Sequence, residues 1–194
     1  MKNLVSRILD FMINNNVIST ESYELDFYRY GIEITLSSLI NVILIFLIGI
    51  IAHRIYSSII FLVVFILMRS LAGGFHADTY LKCNLITSLS FILLLVVYEI
   101  ITKHFSLNVV IFIAILQSII VALLSPIENI NKPIGSKVVY KIISTFLSLS
   151  LSILSIVLII NGNNIGLIVL LTLALVSILM VFAKLLDRRN SYEN

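Results

Sequence analysis

The chain has 194 residues, of which 60% are hydrophobic and only 12% are charged. Soluble domains are about 45–50% apolar and about 25% charged, so this composition leaves too little polar surface to cover a globule. The net charge of +3 is too small to indicate a nucleic-acid partner, and the single cysteine, Cys83, cannot form an intramolecular disulfide. We therefore predict an all-α integral membrane protein that has lipid around most of its surface.

The N-terminal stretch MKNLVSRILDFMINNN has the pattern of an amphipathic helix. Its apolar residues recur on one side, and the polar residues Lys2, Arg7, Asp10 and Asn14 fall elsewhere. Arg7 and Asp10 interrupt the apolar part, and no small-residue cleavage site follows, so a signal peptide is not indicated. We predict a helix that lies in the membrane interface, within a cytoplasmic or interfacial helical region over residues 1–33.

Six stretches are candidates for membrane-spanning helices, which need about 20 mostly apolar residues, with a range of about 17–25. Five of them meet this length directly, and the sixth, 57–68, barely reaches across the membrane even when it is extended past Arg69 to Ala72. The sequence therefore predicts about six transmembrane helices. The five clear candidates are 34–52, 85–101, 107–124, 138–160 and 165–183.

The distribution of basic residues tests this number of spans. If six helices cross the membrane and both termini are inside, the outer loops hold only Arg54 and Lys103. The other 11 of the 13 basic residues then lie on the inner side, as the positive-inside rule predicts. We predict a single membrane-embedded domain over 1–194 with N-in/C-in topology. Its substantial cytoplasmic segments are 1–33, 68–84 and 125–137.

Polar side chains inside the predicted spans are most frequent in the fifth one, where four serines fall within one narrow stripe at about 100° per residue. Two interpretations are open: close helix packing through small residues, or the polar wall of a cavity that admits a peptide backbone. Asn41 and Gln117, in other spans, are interpreted as interhelical hydrogen-bond partners. The serines of the stripe are Ser144, Ser148, Ser152 and Ser155.

The segment MRSLAGGFHADTYLKCN interrupts the apolar sequence and contains both His76 and Cys83. A thiol becomes a strong nucleophile when a nearby imidazole ionises it, so the pair is a candidate cysteine-peptidase dyad. On one straight helix the two residues would stand about 10.5 Å apart along the axis, whereas hydrogen bonding needs about 3 Å. The dyad therefore requires a break in the helix, and Gly73-Gly74 is a strong helix terminator.

A second helix is expected to begin after this break. Asp78 or Thr79 can cap it, and it then carries Cys83 into the third span. In the early turns of a helix the thiolate is modestly favoured, and Lys82 adds a nearby positive charge. A metal site formed by His76, Asp78 and Cys83 is the weaker alternative, because three mixed ligands lack a clear fourth. We predict no metal and no cofactor.

Two stretches, RSLAGGFHADTYLKC and SPIENINKPI, resemble the signature of the accessory gene regulator B (AgrB) family. That family consists of membrane-embedded cysteine endopeptidases of Gram-positive quorum-sensing systems, and its length and multi-span layout are similar to those of this chain. The resemblance implies that His76 and Cys83 are the catalytic residues. It also implies that Arg69, Gly74 and Thr79 support the architecture of the motif.

The resemblance further implies a substrate and a reaction. The substrate would be a short AgrD-like propeptide that its own amphipathic helix holds on the cell membrane. Cys83 would cleave the bond before an acidic C-terminal tail, with His76 as the base, at the cytoplasmic side. A nucleophilic side chain of the substrate, typically a cysteine, would then intercept the acyl-enzyme thioester and close a cyclic thiolactone.

Further residues are candidates for substrate binding or for support of the site. The basic ones could bind the acidic tail of the propeptide, or could simply follow the positive-inside rule. Glu128 could pair with Arg69 or orient His76, and Asp78 could also orient His76. The basic candidates are Arg69, Lys82, Lys132, Lys137 and Lys141.

Two other classes of protein compete with the peptidase. A small transporter or permease for a peptide or an ion would account for the serine stripe, but we find no internal repeat and no paired broken helices. A non-catalytic membrane scaffold would leave the His-Cys pair unexplained. A homodimer is compatible with helices that carry polar stripes.

Overall fold

The structure is a computed structural model that describes residues 2–15, 17–18, 22–73, 79–103, 106–127 and 136–192. Within these ranges the chain forms helices joined by short connections, and no strand is present. The helices are α1 (Lys2–Asn14), α2 (Ser22–Ile51), α3 (Ile55–Ala72), α4 (Tyr80–Lys103), α5 (Leu107–Leu124), α6 (Lys137–Ile160) and α7 (Ile165–Tyr192).

Six helices of the described chain, α2 to α7, are long and apolar enough to cross a membrane, which confirms the predicted number of spans. The protein is therefore a multi-pass membrane protein. The predicted bounds agree with α5, and α4 begins at Tyr80, directly after the predicted cap at Thr79, but α2 begins at Ser22, well before the predicted span 34–52. Hydropathy marks only the part of a helix that suits lipid, whereas hydrogen bonding continues the helix into more polar residues.

The doubtful span is α3, which has 18 residues and does extend past Arg69 to Ala72. At about 1.5 Å per residue such a helix is about 27 Å long, close to the hydrocarbon thickness of about 30 Å. Because α3 is so short, its last turn lies near one membrane surface. We call this end of the bundle, where α3 ends and α4 begins, the Cys83 end.

The central helix of the bundle is α7, which packs against α3, α4, α5 and α6. In its most apolar stretch 61% of the residues are buried, compared with 17% in α2. Leu173, Val176 and Met180 of α7 lie in the main core cluster. The exposed faces of the outer helices are also apolar, as expected for a surface that contacts lipid.

An aromatic column joins α3 to α4. Phe65 stacks on Phe61 with ring centroids 5.1 Å apart, and Phe61 packs on Phe91 of α4 at 4.8 Å. All three rings are buried. At the opposite end of the bundle Arg54, before α3, forms an ion pair with Glu99 of α4. Side chains therefore connect α3 to α4 in the core, and the residue before α3 to α4 at the opposite end.

The serine stripe is the packing face of α6. Ser148 donates to the side-chain carbonyl of Gln117 over 3.2 Å, and Ser152 accepts from the amide of Gln117. Ser144 pairs with Ser125, and Ser155 donates to the backbone carbonyl of Gly166 over 2.7 Å. The stripe thus joins α6 to α5, to the residue after α5 and to α7, which supports the interpretation as helix packing rather than as a cavity wall.

The two predicted interhelical amides differ. Gln117 does bridge α5 and α6, as expected. In contrast, the side-chain oxygen of Asn41 is buried on α2 and has no hydrogen-bond partner among the described residues, and the same is true of the hydroxyl of Ser88 on α4. The neighbouring pair Ser37 and Asn84 does bond across these two helices, over 3.2 Å.

The N-terminal helix α1 packs on α2. Val5 and Leu9 are buried against Leu25 and Leu36 of α2, while Leu4 and Phe11 are exposed. Part of the apolar side of α1 is therefore used inside the protein. A position of this helix in the membrane interface stays a prediction.

Candidate active site

The break predicted after α3 is present at Gly73. The helix ends at Ala72, and Gly73 has φ 76°, in the left-handed region that favours glycine. The backbone of Ile127 lies against it, so a Cβ at Gly73 would collide with the carbonyl oxygen of Ile127 and lie 3.0 Å from its amide nitrogen. Both the backbone conformation and the close neighbour therefore require glycine here.

The second helix of the site, α4, begins with a side-chain cap. The Thr79 hydroxyl accepts a hydrogen bond from the amide of Lys82 over 3.3 Å. The carbonyl of Thr79 accepts the amide of Cys83 over 3.1 Å. Of the two residues predicted as caps, Thr79 occupies the position, and Asp78 lies outside the described residues. Cys83 consequently lies in the first turns of α4, where it is half-buried.

Arg69 of α3 lies opposite Cys83. Its Nη2 atom donates a hydrogen bond to Cys83 Sγ over 3.5 Å, in a partly buried position. Arg69 lies three residues before the end of α3, and Cys83 three residues after the start of α4. Because the two helices run in opposite directions, equal distances from the break place the two side chains at the same depth. Sequence analysis proposed other partners for Arg69 and did not foresee this contact.

The second stretch that resembles the AgrB signature begins beside the first one. The amide of Ile127 donates to the carbonyl of Ala72 over 3.0 Å, which satisfies a carbonyl at the end of α3. Ser125 holds the same connection to Ser144 of α6. Residues 125–127 therefore connect the end of α3 to α6 at the Cys83 end.

Sequence analysis did not single out Glu33 and Tyr80, which also meet at this end. The Tyr80 hydroxyl, at the start of α4, donates a hydrogen bond to the Glu33 carboxylate of α2. One turn further along both helices is the pair of Ser37 and Asn84. Polar residues four apart, near the start of the predicted span in α2 and at the start of α4, were the available signal, because such residues share a helix face.

The remaining predicted site residues fall into two groups. Lys82 and Lys141 are exposed, and their predicted role in substrate binding stays a prediction. Gly74, His76, Asp78 and Glu128 lie outside the described residues, as does Lys132, so the predicted approach of His76 to Cys83 stays a prediction. Among the described residues no cluster of three His, Cys, Asp or Glu could hold a metal ion.

The fold and the site together define a class of protein: an all-helical, multi-pass membrane protein with a half-buried cysteine at one end of its bundle. A profile of the family described as Accessory gene regulator B, AgrB, matches residues 5–181 of the chain. The protein therefore belongs to the AgrB family. No curated protein and no solved structure matches it. Membership means a peptidase-like role in processing an agr quorum-sensing propeptide of the AgrD type.

Proposed function

We propose that the protein is a membrane cysteine endopeptidase that removes the C-terminal tail of an AgrD-like propeptide and closes the remainder into a thiolactone. The observation that carries this proposal is the position of Cys83. The chain's one cysteine lies half-buried in the first turns of α4, opposite Arg69 near the end of α3. Nucleophilic cysteines typically occupy such partly exposed helix starts.

In the first step His76 takes the proton from the Cys83 thiol, and the thiolate attacks the carbonyl carbon before the tail. A carbon–sulfur bond forms and the carbon–nitrogen bond breaks. His76 returns its proton to the nitrogen of the leaving tail. The products are the free tail and a thioester between Cys83 and the rest of the propeptide.

In the second step a thiol of the bound propeptide attacks this thioester. One carbon–sulfur bond forms, the bond to Cys83 breaks, and the proton of the attacking thiol ends on Cys83. One thioester replaces another, so there is little driving force, and ring closure must outcompete water through proximity. The half-buried location of Cys83 supports this, because it limits the access of water.

We also propose that the Cys83 end faces the cytoplasm. By the alternation of the spans, the N-terminus, the break after α3, the connection from α5 to α6 and the C-terminal end of α7 all lie at this end. These segments carry most of the basic residues, as the inner side of a membrane protein does. A newly synthesised propeptide would reach the site from that side.

The test is propeptide cleavage in cells that coexpress the chain with the short reading frame beside its gene. Cys83→Ser and His76→Ala should each reduce cleavage by about a thousandfold or more, because each removes a member of the dyad. His53→Asn, at the opposite end of the bundle, is the control, and Asn tolerates the positive φ of that residue. Wild-type cleavage rates in both dyad variants would overturn the proposal.

The alternative function, a small transporter or permease, is no longer supported by the serine stripe. The serine stripe that suggested it is occupied by hydrogen bonds to α5, to Ser125 and to α7. No observation on the described residues favours transport over peptide cleavage.

A further inference from the structure

We infer that Arg69 is the counter-charge of the Cys83 sulfur: its guanidinium stabilises the thiolate each time that Cys83 carries a negative charge. The role in catalysis rests on the proposed function. The contact itself does not, because the Nη2–Sγ hydrogen bond of 3.5 Å is a feature of the protein without substrate. Arg69 therefore acts on the nucleophile Cys83 and does not serve as a binding site for the acidic tail of the propeptide.

The chemistry of the contact favours a charged sulfur. A neutral thiol is a weak hydrogen-bond acceptor, whereas a thiolate pairs strongly with a guanidinium, which stays charged in proteins. Hydrogen bonds between charged groups are about twice as strong as those between neutral groups. Both residues are partly buried at the Cys83 end, where a charge pair is screened less than in water.

The guanidinium is held in place by the aromatic column. Arg69 lies over the ring of Phe65, with its central carbon 5.5 Å from the ring centroid. Phe65 stacks on Phe61, and Phe61 packs on Phe91 of the same helix that carries Cys83. The cation and the sulfur therefore lie on two helices whose side chains are joined by this column, so little ordering is needed when charge develops.

Negative charge would appear on Cys83 Sγ twice in each turnover. It appears first when the thiol loses its proton before attack, and again when the substrate thiol displaces Cys83 from the thioester. The guanidinium neither gains nor loses a proton in these steps. One cation can thus assist both the nucleophile and the leaving group, which a residue that binds the tail of the propeptide could not do.

The first test needs no substrate. Cys83 is the chain's one cysteine, so the ultraviolet thiolate absorbance of the full chain in lipid nanodiscs, measured against Cys83→Ser, reports this sulfur alone. We expect Arg69→Met to lower the thiolate fraction and the rate of alkylation by iodoacetamide by about tenfold. Arg69→Lys, which keeps the charge but loses the planar contact with Phe65, should lower both less than Arg69→Met does.

The matched control is Arg29→Met, because Arg29 is exposed and pairs only locally, with Asp26 at 3.4 Å. It should leave both readouts unchanged. If Arg69→Met does not fold, Arg69→Gln, which keeps an N–H donor but loses the charge, carries the same test. A wild-type thiolate fraction in a folded neutral variant would overturn the inference.

The second test separates this role from tail binding. With the coexpressed propeptide purified as substrate, we expect Arg69→Met to lower kcat by about tenfold or more and to leave KM nearly unchanged. A raised KM with unchanged kcat would show that Arg69 binds the tail, and would overturn the inference. If wild type does not cleave the propeptide at all, the proposed function fails, and the thiolate measurements still decide the Arg69–Cys83 interaction.

Discussion

Gly73 and Ile127 meet so closely that the backbone of Ile127 occupies the space where any other residue would carry its Cβ. The amide of Ile127 also bonds to the carbonyl of Ala72, one residue before the glycine. The connection after α5 is thereby attached to the end of α3. The break that separates Arg69 from Cys83 along the chain is stabilised by a segment far from it in sequence.

Replacement of this glycine should therefore be costly. Gly73→Ala meets both a left-handed backbone and a backbone collision, so we expect a loss of about 1–3 kcal/mol in stability. Thermal denaturation in detergent measures this loss, and propeptide cleavage should fall with it. Gly31→Ala is the matched control, since nothing lies within 4 Å of a Cβ there and alanine is the better helix former. Equal melting temperatures for the two variants would contradict the predicted role of Gly73.

The cap of α4 should be measurable at one amide. In Thr79→Ala the amide of Lys82 loses its acceptor, and we expect a loss of about 1 kcal/mol together with faster hydrogen exchange at Lys82. Thr79→Ser keeps the hydroxyl and should behave like wild type. If Lys82 exchanges at the same rate in both variants, the hydroxyl does not cap the helix.

The hydrogen bonds that Gln117 of α5 makes with Ser148 and Ser152 of α6 should stabilise the bundle. Gln117→Leu leaves Ser148 without its acceptor and removes the bond to Ser152, so we expect a loss of about 0.6–2 kcal/mol. Ser150→Ala is the control on α6, because its exposed hydroxyl bonds only to the carbonyl of Phe146 on its own helix. Denaturation of both variants in the same detergent tests this, and an unchanged Gln117→Leu would show that the network contributes nothing.

The pair of Glu33 and Tyr80 should couple α2 to the start of α4. Glu33→Gln and Tyr80→Phe each disturb the same hydrogen bond, so we expect the double variant to lose less than the two single variants together, by about 0.5–1.5 kcal/mol. A double-mutant cycle on stability measures the difference. Strict additivity would mean that the two side chains do not interact.

The proposed topology can be tested with new cysteines in a Cys83→Ser background. Asn164→Cys lies in the exposed turn before α7, and Ser136→Cys lies exposed just before α6, at the other end of the bundle. A membrane-impermeant thiol reagent should label the first in intact cells, and should label the second only after the cells are opened. The reverse pattern would place the Cys83 end outside.

Much of the fold was predictable because it depends on local properties of the sequence. Length and hydropathy indicated six spans, and the distribution of basic residues favoured counting α3 among them. The break at Gly73 and the cap at Thr79 were also foreseen, since each depends on the residue type and its immediate neighbours. The start of α2 was placed too late, because an apolar stretch and a helix do not have to begin together.

The partners of polar residues were harder to predict. The contacts of Arg69 with Cys83 and Phe65 were not foreseen, and its predicted pairing with Glu128 or an acidic tail stays a prediction. Sequence analysis did not single out Glu33, although its side chain interacts with Tyr80, the first residue of α4. In each case the sequence showed a polar residue whose burial in or near a membrane span costs free energy. It did not show which helix would lie beside that residue.

The sequence by itself determined that this chain is a helical membrane protein of six spans, and that its one cysteine lies at the start of the helix after the break between α3 and α4. Hydrophobic length, glycine and helix capping act over one or a few residues, so they can be read along the chain. Only the tertiary structure decided that Arg69 faces Cys83 and that Ile127 covers Gly73. Those contacts depend on how α3, α4 and the end of α5 pack together, and packing brings together residues that are distant in the sequence.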